Sequence, residues 1–137
     1  MQFLMIMKST PDSEAGKGLD PQVAAAITAR AEQAKRSGSL LASGALLPSS
    51  AGARIQATNG KISITDGPFA ETKELVGGFA LMEANTREEA IEGAKAFMQL
   101  YVEALGPNYA GQMEVRPLMG PAFISTGREK ERTISAQ

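Results

Sequence analysis

The chain has 137 residues, of which 43% are hydrophobic and 21% charged, so it is long enough for one domain with one core. Its formal net charge is −1, with both signs mixed along the chain, which argues against a nucleic-acid-binding surface. It contains neither Cys nor His, which excludes disulfides, thiol catalysis, a catalytic imidazole and Cys- or His-ligated metals.

The same composition narrows the expected cofactors and location. A metal site would have to use carboxylates and carbonyls, and no calcium-binding loop pattern is present, so we expect no metal or organic cofactor. The apolar run at the start of the chain is short and lacks a basic leader. No stretch approaches the ~20 apolar residues of a membrane span, so we expect a soluble cytoplasmic protein.

The first third of the chain predicts a strand followed by a helix. Residues 3–7 are continuously apolar, as in a central strand with both faces buried. Residues 9–18 are polar and rich in Gly and Pro, which predicts a loop. Asp20 and Pro21 then supply an N-cap and a first helical residue, and apolar residues recur at helical spacing up to residues 37–38, a Ser-Gly pair that ends the helix.

The middle of the chain predicts a short strand and a hairpin. Residues 44–47 indicate the strand, which a Pro-Ser-Ser sequence closes. Residues 54–58 and 61–65 alternate between apolar and polar side chains on either side of Asn59-Gly60. Asn-Gly is the preferred pair for a type I′ turn, because both turn positions need a positive φ.

The last part predicts a strand, a helix and a final strand. Residues 76–82 indicate the strand. Thr86 and Glu89 have the spacing of a capping box, and Gly106 ends the helix that follows. The expected apolar stripe of this helix is Ile91, Ala94, Met98, Tyr101, Val102 and Leu105.

The final strand and the tail set the domain boundary. Apolar and polar residues alternate over residues 113–117, which predicts the last strand. Residues 125–137 are polar and aperiodic, so we expect them to be mobile. We predict one domain over residues 1–120, followed by a tail at residues 121–137.

The predicted order matches the ferredoxin-like α+β fold, βαββαβ, with an inserted β-hairpin. One antiparallel sheet would carry two helices on one face. The other face has too many apolar residues to face water, so burial against a second copy of the chain is the simplest cover. We therefore expect a homodimer.

The segment TDGPFAETKELVGGF, residues 65–79, carries more charge than a simple connection between strands needs. It resembles the signature of the DGPF proteins in the YCII-related family. Further resemblance lies in FLMIMK, DSEAG, GALLPSSAGARI and MEVRPL, so it covers residues 1–120. The resemblance implies a dimeric α/β barrel, in which two ferredoxin-like sheets close face to face. It also implies a bacterial cytoplasmic protein, often encoded near extracytoplasmic-function sigma factors.

The resemblance also implies a candidate site. Activity is suspected in the YCII-related family because its members tend to keep a His and an Asp in a cleft. This chain has no His, and the turn that often reads Leu-His-Pro-Ser-Ser reads LLPSS at residues 46–50. The Asp is carried over to Asp66.

Asp66 has a structural and a functional interpretation. It can be a turn residue ahead of Gly67-Pro68, or a partly desolvated carboxylate acting as a general acid or base. Lys8 and Arg54, each at a predicted strand end, would bind an anionic substrate or oxyanion, or would be solvated surface charges. Lys73 and Glu74 are further ligand-binding candidates, although they can pair with each other at the surface.

Three functions remain open on the sequence. The first is a cofactor-free small-molecule enzyme with Asp66 as acid or base. The second is a non-catalytic small-molecule-binding or regulatory module, associated with extracytoplasmic-function sigma factors. The third is an interaction protein whose assembly is its role. Fold analogy alone does not choose among them.

Overall fold

The computed structural model describes residues 1–70 and 74–122 of the chain. The strands are β1 (Gln2–Lys8), β2 (Leu40–Ala45), β3 (Ala53–Thr58), β4 (Lys61–Asp66), β5 (Val76–Glu83) and β6 (Met113–Pro117). The helices are α1 (Pro11–Glu14), α2 (Pro21–Arg36) and α3 (Arg87–Leu105), with a 3-10 turn at Ser49–Ala51. In these two ranges, no helix has both the length and the apolar character that a membrane crossing needs. The tail predicted to be mobile, residues 125–137, lies outside the described residues.

The main sheet has the strand order β2-β5-β1-β6, and every neighbouring pair is antiparallel. With α2 after β1 and α3 after β5, the main sheet and its helices follow the ferredoxin-like βαββαβ order. Between β2 and β5 in the sequence, β3 and β4 form a separate two-stranded sheet. The predicted fold class, including the central position of the first strand and the inserted hairpin, is therefore confirmed.

The core lies between the main sheet and the two long helices. Phe3 and Met5 of β1 pack with Met82 of β5 and with Ala90 and Ala94 of α3. Alanines at these two helix positions let α3 approach the sheet closely. The predicted stripe of α3 was partly wrong, because Ala90 is fully buried whereas Val102 and Leu105, near the helix end, are exposed.

The helix starts follow the predicted capping residues. Asp20 Oδ1 accepts the backbone N–H of Gln22 at 2.9 Å, and Thr86 Oγ1 accepts that of Glu89 at 3.1 Å. The capping box at α3 is only half formed, because the Glu89 carboxylate accepts the N–H of Asn85, one residue before the cap. Both helix starts were predicted correctly, whereas the bond from the Asn85 N–H to the Glu89 carboxylate was not predicted.

Two predicted boundaries ahead of the hairpin were wrong. The predicted loop at residues 9–18 contains α1, a single turn capped by reciprocal bonds between Thr10 and Ser13. The predicted strand at residues 44–47 is instead β2, Leu40–Ala45. Its Ser- and Gly-containing sequence is weakly strand-forming, and pairing with β5 makes it a strand.

The hairpin β3–β4 turns at Asn59 and Gly60, whose φ values are 53° and 76°. Both are positive, as the type I′ turn requires, so this prediction is confirmed. Its pairing register places Ile55 opposite Ile64 and Ala57 opposite Ile62, so these residues share one face. On this face, Ile55 is 71% exposed, Ile62 is 74% exposed and Ile64 is 69% exposed.

The main sheet face opposite the helices is also apolar. In the β1–β5 pairing, Leu4 lies opposite Leu81 and Ile6 opposite Phe79. Leu81 is buried, Leu4 and Ile6 are half-buried, and Phe79 is exposed. Phe79 lies against Gly44 of β2, where an added Cβ would come within 2.9 Å of the ring.

Candidate functional site

Three segments that follow strands meet at Ser49. They are α1 after β1, the 3-10 turn after β2, and residues 67–70 after β4, which we call the motif loop. The backbone N–H of Phe69 donates to Ser49 Oγ at 2.9 Å, and the N–H of Gly67 donates to the carbonyl of Gly52 at 3.0 Å. Ser49 N–H donates in turn to Glu14 Oε1. The serine thus joins the three segments through its backbone and its hydroxyl.

Gly67 is required by the close approach of two backbones. A Cβ at this position would lie 1.7 Å from the carbonyl oxygen of Ser49, so the backbone as it stands leaves no room for a side chain. The following Gly67–Pro68 bond is cis. The glycine of the motif therefore has a steric role, because only hydrogen fits between the motif loop and the 3-10 turn.

Arg54 holds the aromatic residue of the motif loop. Its guanidinium carbon lies 4.2 Å from the centroid of the Phe69 ring, which is the geometry of a cation–π contact. Phe69 is half-buried. Arg54 therefore contributes to loop structure, and the prediction that it binds an anionic ligand stays a prediction.

Glu14 was not predicted as a site residue. Its Oε1 accepts the N–H of Ser49, and its Oε2 is shielded from solvent without a hydrogen-bond partner in residues 1–70 and 74–122. An unpaired, desolvated polar atom costs free energy unless a donor reaches it. The sequence signal was the DSEAG segment, an acidic residue in the loop after the first strand, but nothing in the sequence pointed to its pairing with Ser49.

Glu14, Ser49 and Phe69 line a cleft of about 450 Å³, which we call the motif cleft. Its volume falls within the range of about 300–1,000 Å³ that is usual for small-molecule sites. The rest of its wall is mainly apolar: Ala45, Leu46, Leu47, Pro48, Ala51, Gly52, Ala53, Leu75 and Val76, with Ser9. The only ionisable side chain among these described lining residues is Glu14, so the cleft fits an apolar molecule with a donor group.

Lys8 belongs to an ion-pair cluster. Its Nζ lies 3.0 Å from Glu114 Oε2 and 3.8 Å from Glu74 Oε2, and its side chain is only 14% exposed. The hydrogen bond and the charge of Lys8 lower the pKa of the Glu114 carboxyl below its ordinary value. Two predicted ligand-binding residues, Lys8 and Glu74, are thus brought together, but the lysine charge is already compensated.

Asp66 and Arg54 lie on opposite faces of the hairpin. Asp66 pairs with Ala53 across the strands and so shares the face of Ile55 and Ile64, whereas Arg54 pairs with Thr65 on the other face. The Asp66 side chain is exposed. The structure therefore does not bring the predicted carboxylate and the predicted cation together, and Lys73 lies outside the described residues.

The chain is similar to proteins of a known family. The model of the family described as YCII-related domain matches residues 1–99. An uncharacterized protein from Rhizobium meliloti, R00369, is 37% identical over 73 residues, which cover 53% of this chain and 54% of that protein. The match thus spans about half the length of this relative.

A solved structure is also similar. It is 5-chloro-2-hydroxyhydroquinone dehydrochlorinase, TftG, from Burkholderia phenoliruptrix, in complex with 2,5-dihydroxybenzoquinone. The two chains are 22% identical, with a TM-score of 0.43, and the similarity covers 88% of this chain and 96% of the other. A similarity at this level says nothing about the activity of this chain.

Proposed function

The chain belongs to the YCII-related domain family, and we propose that it binds a small, mainly apolar molecule with a hydrogen-bond donor in the motif cleft. Catalysis is not needed for this role. In the cell, such a binder would act in the bacterial cytoplasm as a regulatory module beside an extracytoplasmic-function sigma factor, as the sequence resemblance implies.

The observation that carries the proposal is the state of Glu14. One carboxylate oxygen is fixed by Ser49, and the other is desolvated and has no partner in the described part of the chain. Glu14 forms part of the cleft wall, and a modest shift of its side chain on binding would open Oε2 to an O–H or N–H group of the bound molecule. The apolar lining would bury the rest of that molecule.

Native mass spectrometry of the purified protein, followed by thermal shift, tests this function. The first measurement asks whether a small molecule co-purifies. In the second, benzyl alcohol and benzylamine carry donors, whereas benzoate carries only acceptors. We expect the two donor compounds to raise the melting temperature and benzoate to leave it unchanged. A ligand that binds the folded state stabilises it more as the ratio of ligand concentration to Kd increases.

The matched pair Glu14→Gln and Asp12→Asn identifies the site. Gln keeps an oxygen for Ser49 but offers an NH₂ group in place of the unpaired oxygen, so stabilisation by the donor compounds should disappear. Asp12, on the same short helix, is exposed, and its Asn variant should respond like the wild type. Equal stabilisation of all three proteins would place the binding elsewhere than at Glu14, and no stabilisation by any compound would favour an interaction protein.

A cofactor-free enzyme with Asp66 as general acid or base is the second candidate. The observation that favours it is the position of Asp66 on the apolar hairpin face, beside Ile64, where cover by a second copy would desolvate the carboxylate. Conversion of a co-purified molecule, followed by mass, should be lost in Asp66→Asn while the fold persists. Undiminished conversion in that variant would remove Asp66 from the mechanism.

We also propose that the protein is a homodimer. Two apolar surfaces support this: the hairpin face with Ile55, Ile62 and Ile64, and the sheet face with Phe79. A two-stranded hairpin is at best marginally stable when it is exposed to water on both faces. A second copy that covers these surfaces would give the hairpin a core.

A further inference from the structure

A second cavity lies between the main sheet and the helices, away from the motif loop. Its volume is about 670 Å³, and we call it the interlayer cavity. The side chains that form its apolar wall come from both layers and include Met5, Met82, Ile27, Ala31, Phe97 and Tyr101. The cavity is open to solvent on one side, and its volume falls within the range of about 300–1,000 Å³ that is usual for small-molecule sites.

Small side chains leave this space open. Val23 is the one buried residue of α2. Of the half-buried residues that follow it, Ile27 is large, whereas Ala24, Ala31 and Ala34 are short. On α3, Gly93 lines the cavity, although a Cβ there would make only an ordinary contact with Met82, at 3.6 Å. Gly in place of Ala costs about 0.5–1 kcal/mol of stability in a helix. Gly93 thus lowers the stability of α3 and at the same time leaves the cavity larger than Ala would.

The charges around the cavity are on its outside. The charged residues that contribute to its lining are all exposed: Arg30, Glu32, Lys35, Glu83 and Glu89. Burial raises the pKa of the Tyr101 phenol, and the neighbouring Tyr109 adds to this, so the phenol stays neutral. A charged ligand would therefore find no buried partner there.

Aromatic rings line one end of the cavity. The Phe97 and Tyr101 ring centroids are 5.8 Å apart, and Tyr101 stacks on Tyr109 at 5.7 Å. Methionines line the sheet side, and their thioethers contact aromatic rings favourably. We propose that the interlayer cavity is a second binding site, and that its ligand is an uncharged aromatic molecule. Among the described residues, the linings of this site and of the motif cleft share only Ala45.

Fluorescence titration with N-phenyl-1-naphthylamine, an uncharged aromatic fluorophore, tests the second site. The wild type should give saturable fluorescence enhancement. Ala31→Leu places extra side-chain volume in the cavity and should weaken the affinity by about tenfold or more. Ala25→Leu makes the same change on an exposed part of α2 outside the lining and should bind like the wild type.

The exposed hairpin could also take up an apolar probe, so Ile64→Lys is included. Loss of probe binding in Ile64→Lys with wild-type binding in Ala31→Leu would overturn the proposal, as would an absence of saturable binding in the wild type. If Ala31→Leu fails to fold, Gly93→Ala makes a smaller reduction of the same cavity and should still weaken binding. Glu14→Gln should leave the titration unchanged, which separates this site from the motif cleft.

Discussion

At the residue scale, the DGPF sequence is explained largely by sterics and loop anchoring. Gly67 is fixed by the Ser49 carbonyl, and the Phe69 backbone is bonded to the Ser49 hydroxyl. Arg54 covers the Phe69 ring. These contacts hold the loop against the 3-10 turn, and they make Ser49 an organising residue of the motif cleft without giving it a nucleophilic role.

Gly67→Ala should destabilise the protein. The new methyl group would collide with the Ser49 carbonyl, so one of the two segments must move, at a cost of about 1–3 kcal/mol typical of overpacking. Chemical denaturation measures this change. Gly52→Ala is the matched control, since its Cβ would lie 3.6 Å from the same oxygen and its φ of −111° suits any residue. Equal stability of both variants would contradict this packing.

At the element scale, the hairpin was the segment that local sequence determined best. Its turn needs positive φ at two positions, and its apolar alternation is retained in the observed register. By contrast, α1 and β2 were mispredicted. Reciprocal bonds between Thr10 and Ser13 make a turn of helix in a polar segment, and β2 depends on pairing with β5, which is distant in sequence.

Asn59→Val should disrupt the hairpin turn. A β-branched residue at a φ of 53° is strained by about 1–2 kcal/mol, the ordinary cost of the left-handed region for a residue with a Cβ. We expect a lower melting temperature and faster amide hydrogen exchange in β3 and β4. Asn59→Asp, which tolerates positive φ, is the control and should retain the wild-type exchange pattern. An unchanged melting temperature and unchanged exchange in the valine variant would mean that the turn is not under this constraint.

At the scale of the whole molecule, residues 1–70 and 74–122 leave apolar surfaces exposed on the hairpin and on the main sheet. The hairpin forms its own two-stranded sheet and presents isoleucines on one face and polar residues on the other. Such a face calls for a partner surface. This exposed face is the motive for the proposed homodimer.

Light scattering on two lysine variants tests the dimer. Ile64→Lys puts a charge on the apolar hairpin face and should shift a dimeric mass toward that of the monomer, because burying an unpaired charge is costly. Ser63→Lys adds the same charge to the opposite, polar face of the same strand and should leave the dimer intact. A monomeric wild type at micromolar concentration would refute the proposal.

The sequence by itself determined the order of the main elements, the Asn-Gly turn, the helix starts at Asp20 and Thr86, and the absence of imidazole and thiol chemistry. These features depend on residue type and on neighbours within a few positions. Only the tertiary structure decided that Glu14 meets Ser49 and that Lys8 is neutralised by Glu114. Those pairings join segments that are remote in sequence, and no local propensity encodes which strand ends meet.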